Sequence, residues 1–309
     1  MVYILKSTTA AMNITTTIIT TMVRKMRKKT ELCLKSPAKI NLFLDVLREK
    51  SNGFHEIRTV FTELELCDLI NFTLTEKDSI KILSNLDSLN NKENLVYKIA
   101  FFIKQKYNVQ RGVEITLEKN IPISAGLGGG SSNAATTIKA LSELWQLQLT
   151  PKQQHEIAAK FGSDINFFLQ GGTCLGEDRG EQITPLSNLE IENILLINPG
   201  FAISSKTAYE LVELNGENRD WDFFKSTFNP ETCFNKLEVG IRQKFAVIDR
   251  ELNFLEENGA NKAILSGSGA TMIAFCPDRK TAEKLAQHYS KQNYWNYITK
   301  TKGVQNEHY

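Results

Sequence analysis

The sequence predicts an α+β fold, and three observations carry the prediction. Short runs rich in β-branched, aromatic and other apolar residues, separated by breaks and turn signals, make a β-rich start between Glu31 and Leu83. Beyond it, helical and strand-like segments interleave without a steady βαβ rhythm, which argues against a doubly wound parallel sheet. Two glycine-rich stretches, around Gly128 and Gly267, each adjoin a strand.

Taken in order, residues 31–34 and 40–47 read as two strands separated by Ser36-Pro37-Ala38-Lys39, because proline removes a ladder donor and restrains its predecessor. Lys39 then follows a break between strands. Asn52-Gly53 marks a turn, and residues 58–64, 69–74 and 79–83 continue as strands. Asn94 can cap a helix with apolar positions Leu95, Ile99, Phe102 and Ile103. Residues 113–118 alternate like a strand that leads into the first glycine stretch, and from Ala134 the residues Ile138, Leu141 and Leu144 recur at helical spacing. Thr150-Pro151 begins another helix, which Gly162 ends after Phe161, so residues 162–168 are expected to leave a helix terminus as a turn. A strand at 194–197 precedes helical stretches at 206–214 and 238–258. Strands 263–265 and 271–275 flank the second glycine turn, and a helix follows from Thr281 with Asp278 as its cap.

Charge and cysteine usage exclude several classes of function. Six of the 37 basic residues lie in the first 30 positions, which hold no acid, so 31 basic residues face 35 acidic ones in the remainder, a net −4. That body has no nucleic-acid footprint. Five cysteines, odd in number and never spaced Cys-x-x-Cys, argue against a disulfide framework or zinc site and for a reducing, cytoplasmic compartment. His155-Glu156 lacks the second histidine of a zinc protease. No run of about 18 apolar residues is present, so no membrane span is expected. The basic, Thr-rich residues 1–30 resemble a transit peptide to a plastid-type organelle; the alternative is a dispensable leader with Met22 or Met26 as the working start.

The first glycine stretch carries the chemistry. From Ile123 through Ser124, Ala125, Gly126, Leu127, Gly128, Gly129, Gly130, Ser131 and Ser132 to Asn133, glycines and small residues run straight into a helix. Glycine tolerates positive φ, so successive N–H groups can turn inward as an anion-binding nest, and the helix N-terminus adds further unpaired N–H groups. This is a phosphate seat of neither familiar type: no Lys-Ser/Thr follows the glycines, and no acidic residue ends a second strand about 20 positions on.

Three stretches, Ser36-Pro37-Ala38-Lys39-Ile40-Asn41, the glycine loop, and Ser266-Gly267-Ser268-Gly269-Ala270, stand in the order of the motifs of the GHMP small-molecule kinases, which the chain resembles over roughly residues 32–300. Gly53-Phe54-His55 and Gly162-Ser163-Asp164 sharpen the resemblance toward the branch acting on 4-diphosphocytidyl-2-C-methyl-D-erythritol in the non-mevalonate isoprenoid pathway. The resemblance implies a two-domain fold. An N-terminal ATP-binding and catalytic domain (31–185) would have ribosomal-protein-S5-domain-2-like topology, an α/β substrate domain (186–303) would follow, and 304–309 would be a tail.

It also implies an ATP-dependent phosphorylation of the substrate's 2-hydroxyl, giving ADP, in a monomer or weak homodimer. By resemblance, Asp164 takes the proton of the acceptor hydroxyl and Lys39 favours the alkoxide. Asn41 lies near the substrate, Phe54 and Tyr209 sandwich the cytosine, and His55 bonds its edge. Asn94 and Lys119 match positions near adenine and ribose, with a helix cap and a strand-end charge as the alternatives. Magnesium would bridge the ATP phosphates, with Ser132 a candidate ligand or else a helix-capping residue. Asn166 stands where the family usually has proline, which is expected to loosen the turn that aims Asp164 while leaving activity intact. Competing readings are another GHMP kinase, acting on mevalonate, homoserine or a sugar, and a non-catalytic nucleotide-binding relative.

Overall fold

The computed structural model describes residues 30–214, 221–227 and 229–302. Apart from Thr30, the expected leader and the tail lie outside the described residues. The chain folds around two sheets. In the first, β1 (Glu31–Glu49) and β2 (His55–Thr75) form a long antiparallel hairpin. The far edge of β2 is shared: β4 (Gly112–Glu118) pairs along one half, and β5 (Thr173–Asp178) along the other. β3 (Ile80–Ser84) adds parallel to β4, and β6 (Gln182–Pro185) adds antiparallel to β5. The second sheet is antiparallel, in the order β11 (Trp295–Thr299), β7 (Ile194–Asn198), β10 (Met272–Phe275), β9 (Lys262–Leu265). A two-residue strand, β8 (Phe234–Asn235), returns from this later part of the chain to pair parallel with β1.

Helices α1 (Leu95–Lys106), α2 (Gly129–Leu144), α3 (Pro151–Ala158) and α4 (Ile165–Gln170) accompany the first sheet. Helices α5 (Ser205–Glu210), α6 (Trp221–Thr227), α7 (Glu238–Lys244), α8 (Ala246–Glu257) and α9 (Arg279–Lys291) belong to the later part. Local chemistry explains the helix starts. Asn94 Oδ1 accepts from Val96 N at 2.9 Å, Thr150 and Gln153 form a reciprocal capping box, and Asp278 accepts from Thr281 N at 2.7 Å.

Alternation sorts the core. Leu195 and Ile197 of β7 face the cluster that contains α7 to α9 residues, while Ile194 and Leu196 face a cluster shared with Ala38, Ile40 and Leu42 of β1. The two sheets therefore share an apolar seam. A third cluster packs Phe72 and Ile115 of the first sheet against Ile99, Ile138 and Phe167 of the helices.

Four expectations about local structure are corrected. Pro37 does not divide two strands: β1 runs through it, and the ladder to β2 shifts register between Pro37 and Lys39, because a bulge accommodates the missing donor. Likewise 58–64 and 69–74 are one strand. The turn expected over 162–168 ends at Asp164, which is the N-cap of α4, and the chain is helical from Ile165. The helix after the glycine loop begins at Gly129, well before Ala134.

Candidate active site

Alternation in β1 sends Ala38, Ile40 and Leu42 into the seam and leaves Lys39 and Asn41 together on the opposite face. Lys39 Nζ donates to Asn41 Oδ1 at 2.7 Å, and Asn41 Nδ2 donates to Thr59 Oγ1 at 2.7 Å, which in turn donates to the Phe43 carbonyl. All are buried, so the amide orientation of Asn41 is fixed by its partners. Across the cleft, Asp164 makes no side-chain capping bond to α4, and its Oδ2 lies 3.7 Å from Lys39 Nζ. Burial pulls the Lys39 pKa below the usual lysine value, and the charge and hydrogen bond of Asp164 oppose the pull. The pair is one buried cation against a carboxylate that is 37 % exposed and open to the cleft.

The glycine loop is clamped from every side. Lys39 N donates to Leu127 O at 2.9 Å, and Ser266 Oγ donates to Gly126 O at 3.0 Å, so all three sequence motifs meet. Ser124, Gly126 and Gly128 have φ of 54°, 79° and 68°, the alternating left-handed backbone that turns N–H groups to one side. A Cβ on Gly126 would lie 2.1 Å from the Ser266 carbonyl oxygen, and one on Gly128 would lie 2.9 Å from the Phe168 ring. The first N–H groups of α2, at Gly129, Gly130 and Ser131, have no intrahelical acceptor. Beneath the loop, the fully buried Asp68 accepts from Asn120 N, Ile121 N and Asn133 Nδ2 at 2.8 to 2.9 Å and pairs with Lys119. Ser36 links on by donating to Ser132 Oγ at 2.7 Å.

Seen against the expected residues, the cleft of about 1100 Å³ gathers Lys39, Asn41, Phe54, His55, Ser124, Gly126, Gly128, Asp164 and Tyr209 along its walls. Ala125 and Leu127 point into the seam, and Ile123 stands half exposed on the loop. At the far end, the His55 and Tyr209 rings stack with centroids 5.0 Å apart, while Phe54 is exposed and carries the Arg179 guanidinium 5.0 Å from its centroid. Tyr209 is held well above the usual tyrosine pKa by burial and then by Asp164, so its hydroxyl stays protonated. A smaller cavity of about 460 Å³ between β8, α7 and β9 contains none of the expected residues.

Neither Asn94 nor Lys119 lines this cleft, but Lys119 lies beneath the start of α2, where a Cβ on Gly129 would come within 3.0 Å of its Nζ. Asn94 spends both ends of its amide on backbone, accepting from Val96 N and donating to Leu89 O. Lys119 is buried against Asp68 and donates to Asn133 Oδ1 at 3.3 Å. Ser132, 1 % exposed and bonded to Ser36, also faces the core rather than the cleft.

Sequence comparisons match residues 94–172 to the family described as GHMP kinases N terminal domain and residues 223–294 to GHMP kinases C terminal. A 4-diphosphocytidyl-2-C-methyl-D-erythritol kinase of Thermodesulfovibrio yellowstonii is 37 % identical over 284 residues, covering 87 % of this chain and 98 % of that protein. The chain belongs to this kinase family. A kinase of the same name from Caldicellulosiruptor bescii is 34 % identical over 264 residues, covering 82 % and 92 %. A crystal structure of 4-(cytidine 5'-diphospho)-2C-methyl-D-erythritol kinase superposes with a TM-score of 0.75 at 25 % identity, covering 88 % of this chain and all of the other. The Methanococcus jannaschii mevalonate kinase, at 17 % identity and a TM-score of 0.67 over 90 % of this chain and all of that one, shares the fold.

As a member of the family, the chain is an ATP-dependent kinase with the α+β architecture of the GHMP fold. Its departure at Asn166 is built into the core. Asn166 Oδ1 lies 3.1 Å from His155 Nδ1, and its Nδ2 donates to Glu181 O at 3.4 Å, so side-chain bonds to α3 and the β5–β6 turn fasten the start of α4. The expected loosening is thus offset. Sequence reasoning missed Asp68, Ser36 and Asn235, whose Nδ2 donates to Leu265 O and Gly267 O and pins the second glycine turn. Ser36 stood inside a quoted motif without a role of its own, and Asp68 and Asn235 gave no local signal; only the folded partners give the three their meaning.

Proposed function

We propose that this kinase transfers the γ-phosphoryl group of ATP to the 2-hydroxyl of 4-diphosphocytidyl-2-C-methyl-D-erythritol, giving the 2-phosphate and ADP. The reaction belongs to the non-mevalonate route to isoprenoid precursors. The observation that carries the reading is the single cleft that joins Phe54, His55 and Tyr209 to the Lys39–Asp164 pair and the glycine loop.

In this reading the cytosine lies among Phe54, His55 and Tyr209, whose flat faces and polar edge suit a pyrimidine. Asp164 Oδ2 takes the proton of the 2-hydroxyl as the oxygen bonds to the γ-phosphorus and the bond to ADP breaks. Lys39, oriented by Asn41, offsets the charge that develops on the attacking oxygen. The backward-turned amides from Ser124 to Ser131 hold the phosphates. Magnesium suits this site as a companion of the nucleotide: no cluster of three His, Cys, Asp or Glu exists among the described residues, and Mg²⁺ is commonly held by phosphates and water with one or two side chains. When bound it would neutralise phosphate charge; of the carboxylates lining the cleft, Glu49, Asp164 and Glu210, only Asp164 lies beside Lys39, and Ser132 is turned away. Five free cysteines support a cytoplasmic setting.

The test is phosphoryl transfer from ATP to the purified cytidyl substrate, followed by phosphorus NMR. A new phosphomonoester resonance on the 2-oxygen is expected. Transfer instead to mevalonate, homoserine or a sugar, with none to the cytidyl compound, would overturn the assignment.

A further inference from the structure

We propose that Arg179 binds the diphosphate of the acceptor substrate and so gives the cleft its preference for a nucleotide-linked alcohol, an inference that rests on the kinase reading above. Arg179 sits in the β5–β6 turn and lines the cleft at the end where Phe54 and His55 lie. Its Nε donates to Glu181 Oε1 at 3.0 Å, and its backbone N donates to Glu181 Oε2 at 2.8 Å, so one carboxylate fixes both the turn and the side chain. The guanidinium then stands 5.0 Å from the Phe54 centroid. Among the described residues its two terminal nitrogens bond to no protein acceptor, which leaves paired donors held in place for an anion.

The surroundings narrow what that anion is. An ion pair between Lys50 and Asp178 ties the β1–β2 turn, which carries Phe54, to the turn that carries Arg179. The two turns are therefore linked side by side. Of the other cations lining the cleft, Lys39 is engaged by Asn41 and Asp164, and Lys206, 85 % exposed and only loosely paired with Glu210 at 3.9 Å, is not held in place as Arg179 is by Glu181. A base at Phe54 puts its own ribose and phosphates within one nucleoside length of the ring, where Arg179 supplies the uncommitted donors. The same chemistry would serve the phosphates of ATP, so the test must separate the two.

The test compares wild type with Arg179→Met, which keeps apolar volume over Phe54, and Arg179→Lys, which keeps charge without the fork. Dissociation constants for cytidine, cytidine 5′-diphosphate and ADP are measured by calorimetry, with kcat and KM for the full reaction. Loss of a charge-assisted phosphate contact predicts about a tenfold weaker cytidine diphosphate in Arg179→Met. Cytidine and ADP should change less than about twofold on the same argument, and Arg179→Lys should recover part of the loss. In turnover, KM for the acceptor rises while kcat holds. Equal weakening of cytidine and its diphosphate would make Arg179 a support for Phe54 alone, and weakening of ADP would place it on the donor side. Either result, or no change at all, overturns the inference while leaving the kinase reading intact. A wild-type protein that binds no cytidine ligand and transfers no phosphoryl group would overturn both.

Discussion

Replacing Asp164 by Asn isolates the proposed base with little structural disturbance. The carboxylate makes no capping bond to α4, so the amide keeps shape and helix alike. What is lost is charge. At 3.7 Å from Lys39 Nζ the Coulomb attraction is roughly 4 kcal/mol at an effective dielectric constant of about 20. Asp164 is 37 % exposed, however, and solvent screening leaves on the order of 1 kcal/mol as a stability effect. That corresponds to a fall in Tm of about 2–4 °C for a chain of this class. The catalytic effect is much larger, because a positioned general base contributes about 10²–10⁴-fold in rate. A coupled ADP-release assay should therefore show kcat reduced by at least about 10², with KM for ATP nearly unchanged, since main-chain amides rather than Asp164 hold the phosphates. Residual activity should also fail at lower pH on the alkaline side. Asp164 is what raises the Lys39 pKa against burial, so its loss lets the ammonium deprotonate sooner. Turnover within about threefold of wild type, well short of the expected range, or a KM for ATP that rises as steeply as kcat falls, would refute the assignment.

Lys39→Met should abolish most turnover and also alter the pH dependence of stability. Because burial lowers the folded-state pKa, the unfolded chain binds more protons between that value and the ordinary lysine pKa. Wild-type stability therefore gains as pH rises through that window, and denaturant melts of Lys39→Met should lack the gain; identical pH curves would contradict it. Gly126→Ala forces a Cβ to 2.1 Å from the Ser266 carbonyl at a φ of 79°. It should separate the two glycine turns and weaken nucleotide binding about tenfold or more, and unchanged ATP titrations would count against the nest. Asn166→Ala strands His155 and the Glu181 carbonyl, so chemical melts should show a loss of about 1–3 kcal/mol with kcat falling more than acceptor KM. A silent substitution would mean that the bonds to α3 and the β5–β6 turn do not aim Asp164.

Much of the site was legible before folding, because its parts are local. The caps at Asn94, Thr150 and Asp278 follow from side chains that reach their own backbone, and the glycine nest follows from consecutive residues that tolerate positive φ. The meeting of Pro37-Ala38-Lys39 with Gly126 and Ser266 could be expected only through motif order. Long-range effects were the illegible part. A bulge absorbed Pro37 because β2 supplies a continuous partner on the other side, which no local rule reveals. Lys119 looked like a strand-end charge or a nucleotide contact, yet the buried Asp68, 51 residues away, claims its ammonium. Asn166 read as a missing proline; its amide bonds instead to His155 and Glu181, partners from two other elements.

In the proposed mechanism Lys39 and Asp164 converge on the terminal phosphate of a nucleotide held by the glycine loop. A crystal structure with a non-hydrolysable ATP analogue and the cytidyl substrate tests it directly. The γ-phosphorus is expected over the loop amides, the 2-hydroxyl within hydrogen-bond reach of Asp164 Oδ2, and Lys39 Nζ beside the attacking oxygen. A complex with the triphosphate elsewhere, or with the hydroxyl aimed away from Asp164, would contradict it.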